Sequence, residues 1–183
     1  MPSLLHCPSR AETVVAAIET VIAEHGAGGL TIRRIAQVSR VSSGSLYHHF
    51  EDRGRMLGLA ALISGRRRLT EISDRLPSEG LSAFLPRTDD QLVDTRVWLG
   101  WSELWRSEPN LEGIICELRG SERHLLADAL ACQPDSEQAH AAYAFLEGLR
   151  IALCAPEDPM PRSAAHQLLA GLRTQPRARH VSP

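Results

Sequence analysis

The amino-acid sequence predicts an all-α protein with a three-helix head of the helix-turn-helix type and a larger helical body. Apolar residues recur at spacings of three and four along most of the 183-residue chain, and capping, glycine or proline residues bound these segments. There is no strand-like alternation and no internal repeat. We therefore expect an N-terminal tail over residues 1–10, the head over 11–55, the body over 56–173 and a disordered tail over 174–183.

The head begins with a helix that we predict over about Ala11 to His25. Its valine and isoleucine residues fall on one face, which predicts packing against the segments that follow. The glycine-rich stretch at 26–29 ends this helix, because glycine favours helix termination.

Residues 31–50, TIRRIAQVSRVSSGSLYHHF, have the pattern of two short helices joined by a turn at residues 39–41. Thr31 and Ser42 are expected to cap these helices, because a hydroxyl at that position accepts a hydrogen bond from the first turn. Helical spacing predicts which side chains pack between the helices. These are Ile32, Ile35, Ala36, Val38, Val41, Leu46 and Phe50.

The outer face of this helix pair predicts a DNA-binding surface, because the segment holds three arginines and two histidines but no acidic residue. Gly44 lets the second helix approach DNA closely, and the Tyr47 hydroxyl can donate to a phosphate oxygen. The candidates for base edges are Arg33, Ser43 and Ser45. The predicted DNA-contacting residues in this segment are Thr31, Arg33, Ser42, Ser43, Gly44, Ser45, Tyr47, His48 and His49.

At these residues the chain resembles the tetracycline-repressor (TetR) family of bacterial transcription regulators. The matching positions are Leu30, Thr31, Ile35, Ala36, Val41, Ser42, Gly44, Leu46, Tyr47, His49, Phe50 and Arg53, within a region of about residues 11–60. The resemblance implies a DNA-binding head and a helical ligand-binding and dimerisation domain. It further implies a homodimer on double-stranded, palindromic operator DNA that leaves its operator when a small molecule binds.

Two positions depart from the pattern of the family. Arg40 stands where glycine usually precedes the valine, and an arginine at positive φ would be strained by about 1 kcal/mol. Arg53 replaces the usual lysine after the recognition helix and keeps the charge with which that lysine binds phosphate. Arg53 is therefore added to the predicted DNA contacts.

Composition fits a regulator of this kind. The net charge is −2, but residues 1–76 hold ten arginines against seven acidic residues, whereas residues 77–183 hold ten against fifteen. A basic head on an acidic body concentrates phosphate attraction at one end. We expect a cytoplasmic location, because the sequence shows neither a membrane span nor a signal-peptide core.

The cysteines and the absence of catalytic motifs argue against metal binding and enzymatic function. Cys7, Cys116, Cys132 and Cys154 are scattered without zinc-site spacing, so we expect reduced thiols, no cofactor and no metal. The alternative is a redox-sensing pair, for which the spacing gives no argument. The sequence contains no nucleophile elbow, zinc-protease motif, phosphate loop or dinucleotide fingerprint. We therefore expect that the protein is not an enzyme.

A long fourth helix is predicted from about Asp52 to Leu76, ended by Pro77. Its first half carries Met56, Leu57 and Leu59 for the head, and its second half continues into the body. Residues 77–87 are expected to form a loop with at most one helical turn.

The rest of the body is predicted to contain four further helical regions. One runs from about residue 89 to 107, and Pro109 starts the next, which reaches Cys132 as one kinked helix or as two divided near residues 120–121. Asp135 is expected to cap a helix that reaches about Cys154, with Gln138 completing a capping box. A last helix is predicted over about 162–173, after a proline-rich linker.

Trp98, Trp101 and Trp105 are the three tryptophans of the chain, and their spacing places them on one side of a helix. Such a stripe either packs in the core or lines a ligand pocket, and the two interpretations are compatible. The stretch is loosely similar to the ligand domain of the choline-responsive BetI-like regulators. Polar contacts to a ligand are predicted, by residue type, from Cys116, His140 and Tyr143.

A dimer interface is predicted on the last two long helices. Ala144, Gly148 and Ala152 form a small-residue strip, flanked by Leu146, Leu149 and Leu153, and the final helix adds Leu168, Leu169 and Leu172. These faces exceed what a short body can bury, so two copies are expected to pair as a four-helix bundle.

The predicted function is that of a DNA-binding transcriptional regulator, as a repressor released from its operator by a small-molecule effector of unknown identity. The alternative is an effector-independent DNA-binding protein that a protein partner controls. A cavity behind Trp98 and Trp101 would count against this alternative.

Overall fold

The computed structural model describes residues 8–174, and in that range it contains eight α-helices and no β-strand. This confirms the predicted all-α fold. The helices are α1 (Pro8–His25), α2 (Ile32–Ser39), α3 (Ser43–Phe50), α4 (Arg53–Glu79), α5 (Asp89–Leu104), α6 (Glu112–Leu130), α7 (Glu137–Leu153) and α8 (Arg162–Ala170). None of them is both long and apolar enough to cross a membrane.

Both ends of the chain differ from the predicted bounds. The first helix begins at Pro8, so three residues of the predicted N-terminal tail are helical, as proline is well tolerated in a first helical turn. The last helix ends at Ala170 and is followed by a 3₁₀ turn, Gly171–Thr174, where we expected helix to 173. Nearly all of the predicted C-terminal tail, and Cys7, lie outside the described residues.

The head packs α1, α2, α3 and the first turns of α4 around one set of apolar side chains. Its members lie almost wholly buried and come from all four helices. They include Val14, Ile18, Val21, Ile22, Ile35, Leu46, Phe50, Met56 and Leu57. The same cluster continues without a break into the body, to Val97, Trp98, Trp101, Leu104, Ile115 and Leu118.

The body has a second apolar cluster beneath α7 and α8. It joins the lower end of α4 and a 3₁₀ turn, Gly80–Phe84, to α6, α7 and α8. Its largest members are Ile72, Phe84, Leu85, Leu126, Tyr143, Leu146, Leu149, Leu153 and Leu169. Because α4 contributes to both clusters, this one helix spans the distance from the head to the lower body.

Among the internal helix boundaries, those predicted at Pro77 and Asp135 were wrong. Pro77 does not end α4; it lies in the last turn, and the helix reaches Glu79 before Gly80 stops it at φ 58°. A proline near the C-terminal end removes one backbone hydrogen bond, and the positive φ of glycine then ends the helix. Asp135 does not cap α7; Ser136 does, its hydroxyl accepting from the Ala139 N–H at 3.2 Å.

The region after Pro109 also resolves one alternative left open by the sequence. A 3₁₀ turn, Pro109–Leu111, leads into α6, which continues unbroken through Gly120 to Leu130. The body therefore contains one helix here, and its N-terminal end packs directly on the first turns of α4.

Candidate DNA-binding surface and candidate ligand site

Helix α2 presents Arg33 to solvent and fixes Arg34 against the head. The Thr31 hydroxyl caps α2 by accepting from the Arg34 N–H at 3.2 Å, as predicted. The Arg34 guanidinium turns back and donates to the Gly29 carbonyl at 2.7 Å. Arg33 is therefore the arginine of α2 whose side chain remains at the surface.

The predicted buried stripe of α2 was wrong at Val38, which is 42% exposed. Ser39 is buried in its place, and its hydroxyl accepts from the Val41 N–H at 3.3 Å. The reason is helical phase: Ile32, Ile35 and Ser39 follow a three- and four-residue spacing, and Val38 lies about 100° away from that line.

The turn between α2 and α3 contains the strain that the sequence predicted. Arg40 has φ 56° and ψ 26°, the left-handed conformation in which side chains with a Cβ are disfavoured. Val41 then packs its side chain against the core of the head. This geometry directs the chain from α2 into α3.

Helix α3 buries one side and exposes the other. The Ser42 hydroxyl caps it by accepting from the Ser45 N–H at 3.1 Å, and Leu46 and Phe50 are buried, as predicted. Tyr47 is 50% exposed and extends from the opposite side. A Cβ built on Gly44 meets no atom within 4 Å, so the space outside this glycine is open.

The outward-facing residues of α2, α3 and their N-caps form what we call the recognition face. We define it by Thr31, Arg33, Ser42, Ser43, Gly44, Ser45, Tyr47 and His48. No carboxylate lies within the segment 31–50. The next carboxylate along the chain, Glu51, forms an ion pair with Arg55. His49 is half-buried, and its ring meets that of His48 edge-to-face at 5.3 Å.

Arg53 is engaged within the protein. Its Nε donates to Glu108 at 2.8 Å, and a terminal nitrogen donates to the Leu30 carbonyl at 3.1 Å. The side chain thus links the start of α4 to the segment before α2 and to the corner between α5 and α6. Its predicted contact with DNA phosphate stays a prediction.

The tryptophan stripe (Trp98, Trp101 and Trp105) belongs to the core. Trp98 and Trp101 are buried in the cluster that the head and body share, and Trp105 packs at its edge. The Trp101 indole N–H donates to the Ser64 hydroxyl at 3.3 Å. The cavity beside Trp98 has a volume of only about 10 Å³, room for about one water molecule.

The other predicted ligand-contacting residues are not brought together. Cys116 on α6 and His140 on α7 are exposed, and no described contact joins either of them to a tryptophan. Tyr143 is buried, but it lies in a different group of side chains. We call that group the buried ion cluster and define it by Arg68, Arg119, Glu122, Tyr143, Glu147 and Arg150.

Arg150 and Glu122 form the centre of the buried ion cluster, and both are fully buried. The Arg150 guanidinium donates to both carboxylate oxygens of Glu122, at 2.5 and 3.0 Å. It also donates to Glu147 at 2.7 Å and to the Phe84 carbonyl at 3.1 Å. Glu147 accepts a further bond from Arg119 at 3.0 Å, and the Tyr143 hydroxyl donates to Glu122 at 3.3 Å.

These contacts fix the ionisation states in the cluster. Burial by itself would raise the pKa of Glu122, but Arg150 and then Arg68 outweigh it and hold that pKa at about 2. Burial, together with Glu122 and Glu147, raises the pKa of Tyr143, so this phenol stays protonated. The Arg150 pKa is raised despite burial, because Glu122 and Glu147 stabilise its charge. The cluster is therefore built from full charges at neutral pH.

Sequence reasoning missed this cluster, although one signal was present. Tyr143, Glu147 and Arg150 share the buried face of α7 with Leu146 and Leu153. Charged residues inside an apolar helical stripe indicate a buried polar site, because isolated charges are rarely placed in a core. The partners on α4 and α6 are far away in sequence and could not be paired without the fold.

The predicted dimer strip lies at the surface in part. Ala144 and Gly148 are exposed and Ala152 is half-buried. The flanking residues expected at the interface, Leu146, Leu149 and Leu153, are instead buried within the protomer, as is Leu169, while Leu172 packs against the second core. The large apolar side chains left exposed on α7 and α8 are Phe145, Ile151 (61%) and Leu168 (48%).

Comparison with known proteins adds to these observations. Residues 14–58 match the family model of the bacterial regulatory proteins, tetR family. The chain is 26% identical to the HTH-type transcriptional regulator PksA of Bacillus subtilis (strain 168) over 176 residues, covering 87% of this chain and 85% of PksA. It is 29% identical to the HTH-type transcriptional regulator BetI of Serratia proteamaculans (strain 568) over 115 residues, 58% of each chain.

The fold has close counterparts among solved structures. A transcriptional regulator from Rhodococcus sp. Rha1 superposes with a TM-score of 0.74 at 23% identity, covering 88% of this chain and 94% of that one. The similarity extends over both head and body, so the two units are arranged as in that solved structure.

Proposed function

Because this chain belongs to the TetR family of bacterial transcriptional regulators, we propose that it is a homodimeric repressor that a small-molecule effector releases from a palindromic operator. The observation that carries the proposal is the recognition face: a capped helix with one side buried, and a carboxylate-free opposite side that bears hydroxyls, a tyrosine and an open glycine. This is the surface that a major groove accepts.

On this face we propose distinct roles for the side chains. Arg33 and Ser43 read base edges, because both are exposed and carry groups that hydrogen bond to bases. Tyr47 donates to a phosphate oxygen and sets the register of α3 on the duplex. Gly44 allows the helix backbone to approach closely, because the space beyond its Cα is open.

We propose that Phe145, Ile151 and Leu168, with the small residues Ala144 and Gly148 between them, form the interface with a second copy. The small residues allow α7 to approach its partner closely, and the three large apolar side chains lose exposed surface on pairing. A symmetric dimer presents two copies of α3 to two half-sites of a palindrome.

The dimer proposal is tested by charge insertion. Ile151→Glu and Leu168→Glu should give a monomer in sedimentation velocity and weaken operator binding strongly, because one head contacts only one half-site. Val93→Glu is the matched control, because Val93 is also an exposed apolar residue but lies on α5. A dimer that survives both interface substitutions would rule out this face.

We propose that the head and body communicate through the first turns of α4. Arg53 joins Glu108 there, and Asn110 packs so closely on Gly54 that a Cβ at residue 54 would lie 2.1 Å from the Asn110 amide nitrogen. The segment that leads into α6 is therefore packed on the head end of α4. Because α4 runs from the head into the body, a ligand that shifts α4 in the body also moves the head. Coupling of this kind is typically worth about 1–3 kcal/mol.

The alternative, an effector-independent regulator, has one observation in its favour: the tryptophan stripe is packed, and the cavity beside Trp98 holds only about one water. The buried ion cluster favours the effector, because charges in the core of a small helical body stabilise it little and are a feature of functional sites. Operator affinity measured with a compound that raises the melting temperature separates the two. Unchanged affinity with every such compound supports the alternative.

A further inference from the structure

The buried ion cluster has more positive than negative charge. Arg68, Arg119 and Arg150 contribute three guanidiniums, whereas Glu122 and Glu147 contribute two carboxylates, and Tyr143 is neutral. Burying a charge without a full partner is costly, so a surplus cation in a core is a place where an anion binds favourably.

Arg68 is the cation of the cluster whose hydrogen bonding is least complete. It contacts Glu122 at 3.4 Å, but the same carboxylate oxygen already accepts from Arg150 at 2.5 Å. Its guanidinium lies over the Trp98 ring at 5.6 Å, and its Nε is buried without a hydrogen-bond partner. Burial and the nearby Arg150 lower the pKa of Arg68, the direction expected for a cation that lacks a full counter-ion.

The unpaired polar atoms around Arg68 are all donors. Besides the Arg68 Nε, they are the Nε of Arg150 and the indole N–H of Trp98, each buried without a partner. By contrast, all four carboxylate oxygens of Glu122 and Glu147 already accept a hydrogen bond. An arginine lies over one face of each ring, Arg68 over Trp98 and Arg119 over Tyr143. Of these three donors, the Arg68 Nε and the Trp98 indole N–H belong to residues that line one cavity, so an anion in that cavity can accept from two unpaired donors.

We propose that the seam between α4 and α5 at Arg68 binds a small molecule that carries a carboxylate, and that this anion is the class of the effector. The role of this anion as the effector rests on the proposed function, whereas its binding at Arg68 does not. The carboxylate accepts from the Arg68 guanidinium, and the apolar part of the ligand lies against Trp98 and Val97. Charge-assisted hydrogen bonds to a buried guanidinium supply both affinity and selectivity for acceptors.

The space beside Arg68 is small in this structure, and a ligand has to enlarge it. Two cavities of about 10 Å³ have Arg68 in their lining, and one also reaches Ser64 and Trp98, whereas the other reaches Phe84 and Thr95. We expect a ligand at Arg68 to displace this side chain, because neither cavity holds more than about one water molecule. A ligand larger than water must also separate α4 from α5, and α4 carries the head at its other end.

Two carboxylates also line both cavities and limit the anion to a single charge. Glu71 lies 4.0 Å from Arg67, which is itself paired with Glu19 at 2.6 Å. Asp94 forms no described ion pair, and burial raises its pKa. Asp94 can therefore face a donor group at the far end of a zwitterion.

A matched set of benzoate, benzamide, benzylammonium and 4-(aminomethyl)benzoate tests the ligand class on the full-length protein without DNA. These probes share one benzene ring and differ in the charge of its substituents, and benzoate and benzamide differ almost only in charge. We expect benzoate or the zwitterion to raise the melting temperature and to change tryptophan fluorescence, because Trp98 lines the site. Benzamide should bind at least about tenfold more weakly, and benzylammonium should leave both signals unchanged.

Substitutions locate the binding. Arg68→Gln should weaken benzoate binding by about tenfold or more, and Arg68→Lys should restore only part, because lysine keeps the charge but lacks the fork of the guanidinium. Arg66→Gln is the control, since Arg66 is an exposed neighbour on the same helix. Circular dichroism checks that each variant is folded, and benzoate binding that is equal in wild type and folded Arg68→Gln overturns the assignment.

The outcomes distinguish this inference from the proposed function. Binding of neither carboxylate, or tighter binding of benzylammonium, overturns the anion site and leaves effector release open to another ligand. Carboxylate binding at Arg68 that leaves operator affinity unchanged upholds the site and removes its role as the effector site.

Discussion

The recognition face and the buried ion cluster are built in opposite ways. The face comes from one continuous segment, residues 31–50, and its polar groups are mostly exposed. The cluster draws its charges from α4, α6 and α7, and its central pair, Arg150 and Glu122, is fully buried. Removing a group of the face that does not cap a helix should therefore affect binding and spare folding, whereas removing one from the cluster should destabilise the protein.

The largest expected effect is that of Glu122→Gln. It leaves Arg150 buried without its bidentate partner, and breaking a buried pair in this way typically costs about 3–5 kcal/mol. Urea unfolding followed by circular dichroism measures the change. Glu117→Gln, at an exposed position on the same helix, should cost less than about 0.5 kcal/mol. Equal stability of the two variants would contradict the assigned role of the Glu122 pair.

The same pair predicts a pH dependence. The pKa of Glu122 is lowered in the folded protein from about 4.5 to about 2, so its contribution to stability is complete above pH 4.5. That contribution is lost as the pH falls from about 4.5 towards about 2, because the unfolded state takes up the proton first. The stability of Glu122→Gln should therefore fall less over this interval than that of wild type.

Arg33→Ala is the next largest change, and it acts on the recognition face. Loss of a good base contact costs about 1–3 kcal/mol in discrimination, so we expect weaker binding mainly to the cognate operator. Unfolding should be unchanged, because Arg33 is exposed. Fluorescence anisotropy with cognate and scrambled DNA measures the difference, with Arg66→Ala as the control. An equal loss of affinity for cognate and scrambled DNA would indicate that Arg33 contacts phosphate and does not read a base.

Gly44→Ala distinguishes an effect on operator affinity from an effect on folding stability. A Cβ at this position meets no atom within 4 Å, so the free protein should be unchanged or more stable by up to about 1 kcal/mol. If α3 lies close to the groove, the same methyl group should reduce operator affinity. Unaltered affinity would show that α3 approaches the duplex less closely than proposed.

The smallest expected effect is that of Arg40→Gly. Glycine adopts φ 56° without the penalty that a Cβ imposes, so the variant should gain roughly 1 kcal/mol, about 2–4 °C in melting temperature. Calorimetry measures the gain. A loss of stability would mean that contacts of the arginine side chain outweigh the backbone strain.

The comparison of the two regions also explains what the sequence could predict. The caps at Thr31 and Ser42, the buried Leu46 and Phe50 and the positive φ of Arg40 all depend on neighbours within four residues. Local spacing therefore predicted them. The error at Val38 arose from a helix of eight residues, in which an uncertainty of one position in phase changes which side chain is buried.

The features that the sequence could not predict depend on contacts between residues far apart along the chain. The spacing of Trp98, Trp101 and Trp105 placed them on one side of a helix, but only the fold shows that they fill the core shared by head and body. The pairing of Arg68, Glu122 and Arg150 likewise depends on the relative placement of three helices. The intramolecular partner of Arg53, Glu108, likewise lies 55 residues away along the chain.

Operator binding by wild type and Tyr47→Ala tests the central claim most directly. Purified protein is titrated, at low ionic strength, with double-stranded fragments from its own genome. We expect wild type to select a palindromic fragment. Tyr47→Ala should remain folded and dimeric, and its affinity should fall by about the same factor for cognate and for other fragments. No preference of the wild type for any fragment would contradict DNA recognition by this face, and full affinity in Tyr47→Ala would contradict the placement of Tyr47 against a phosphate.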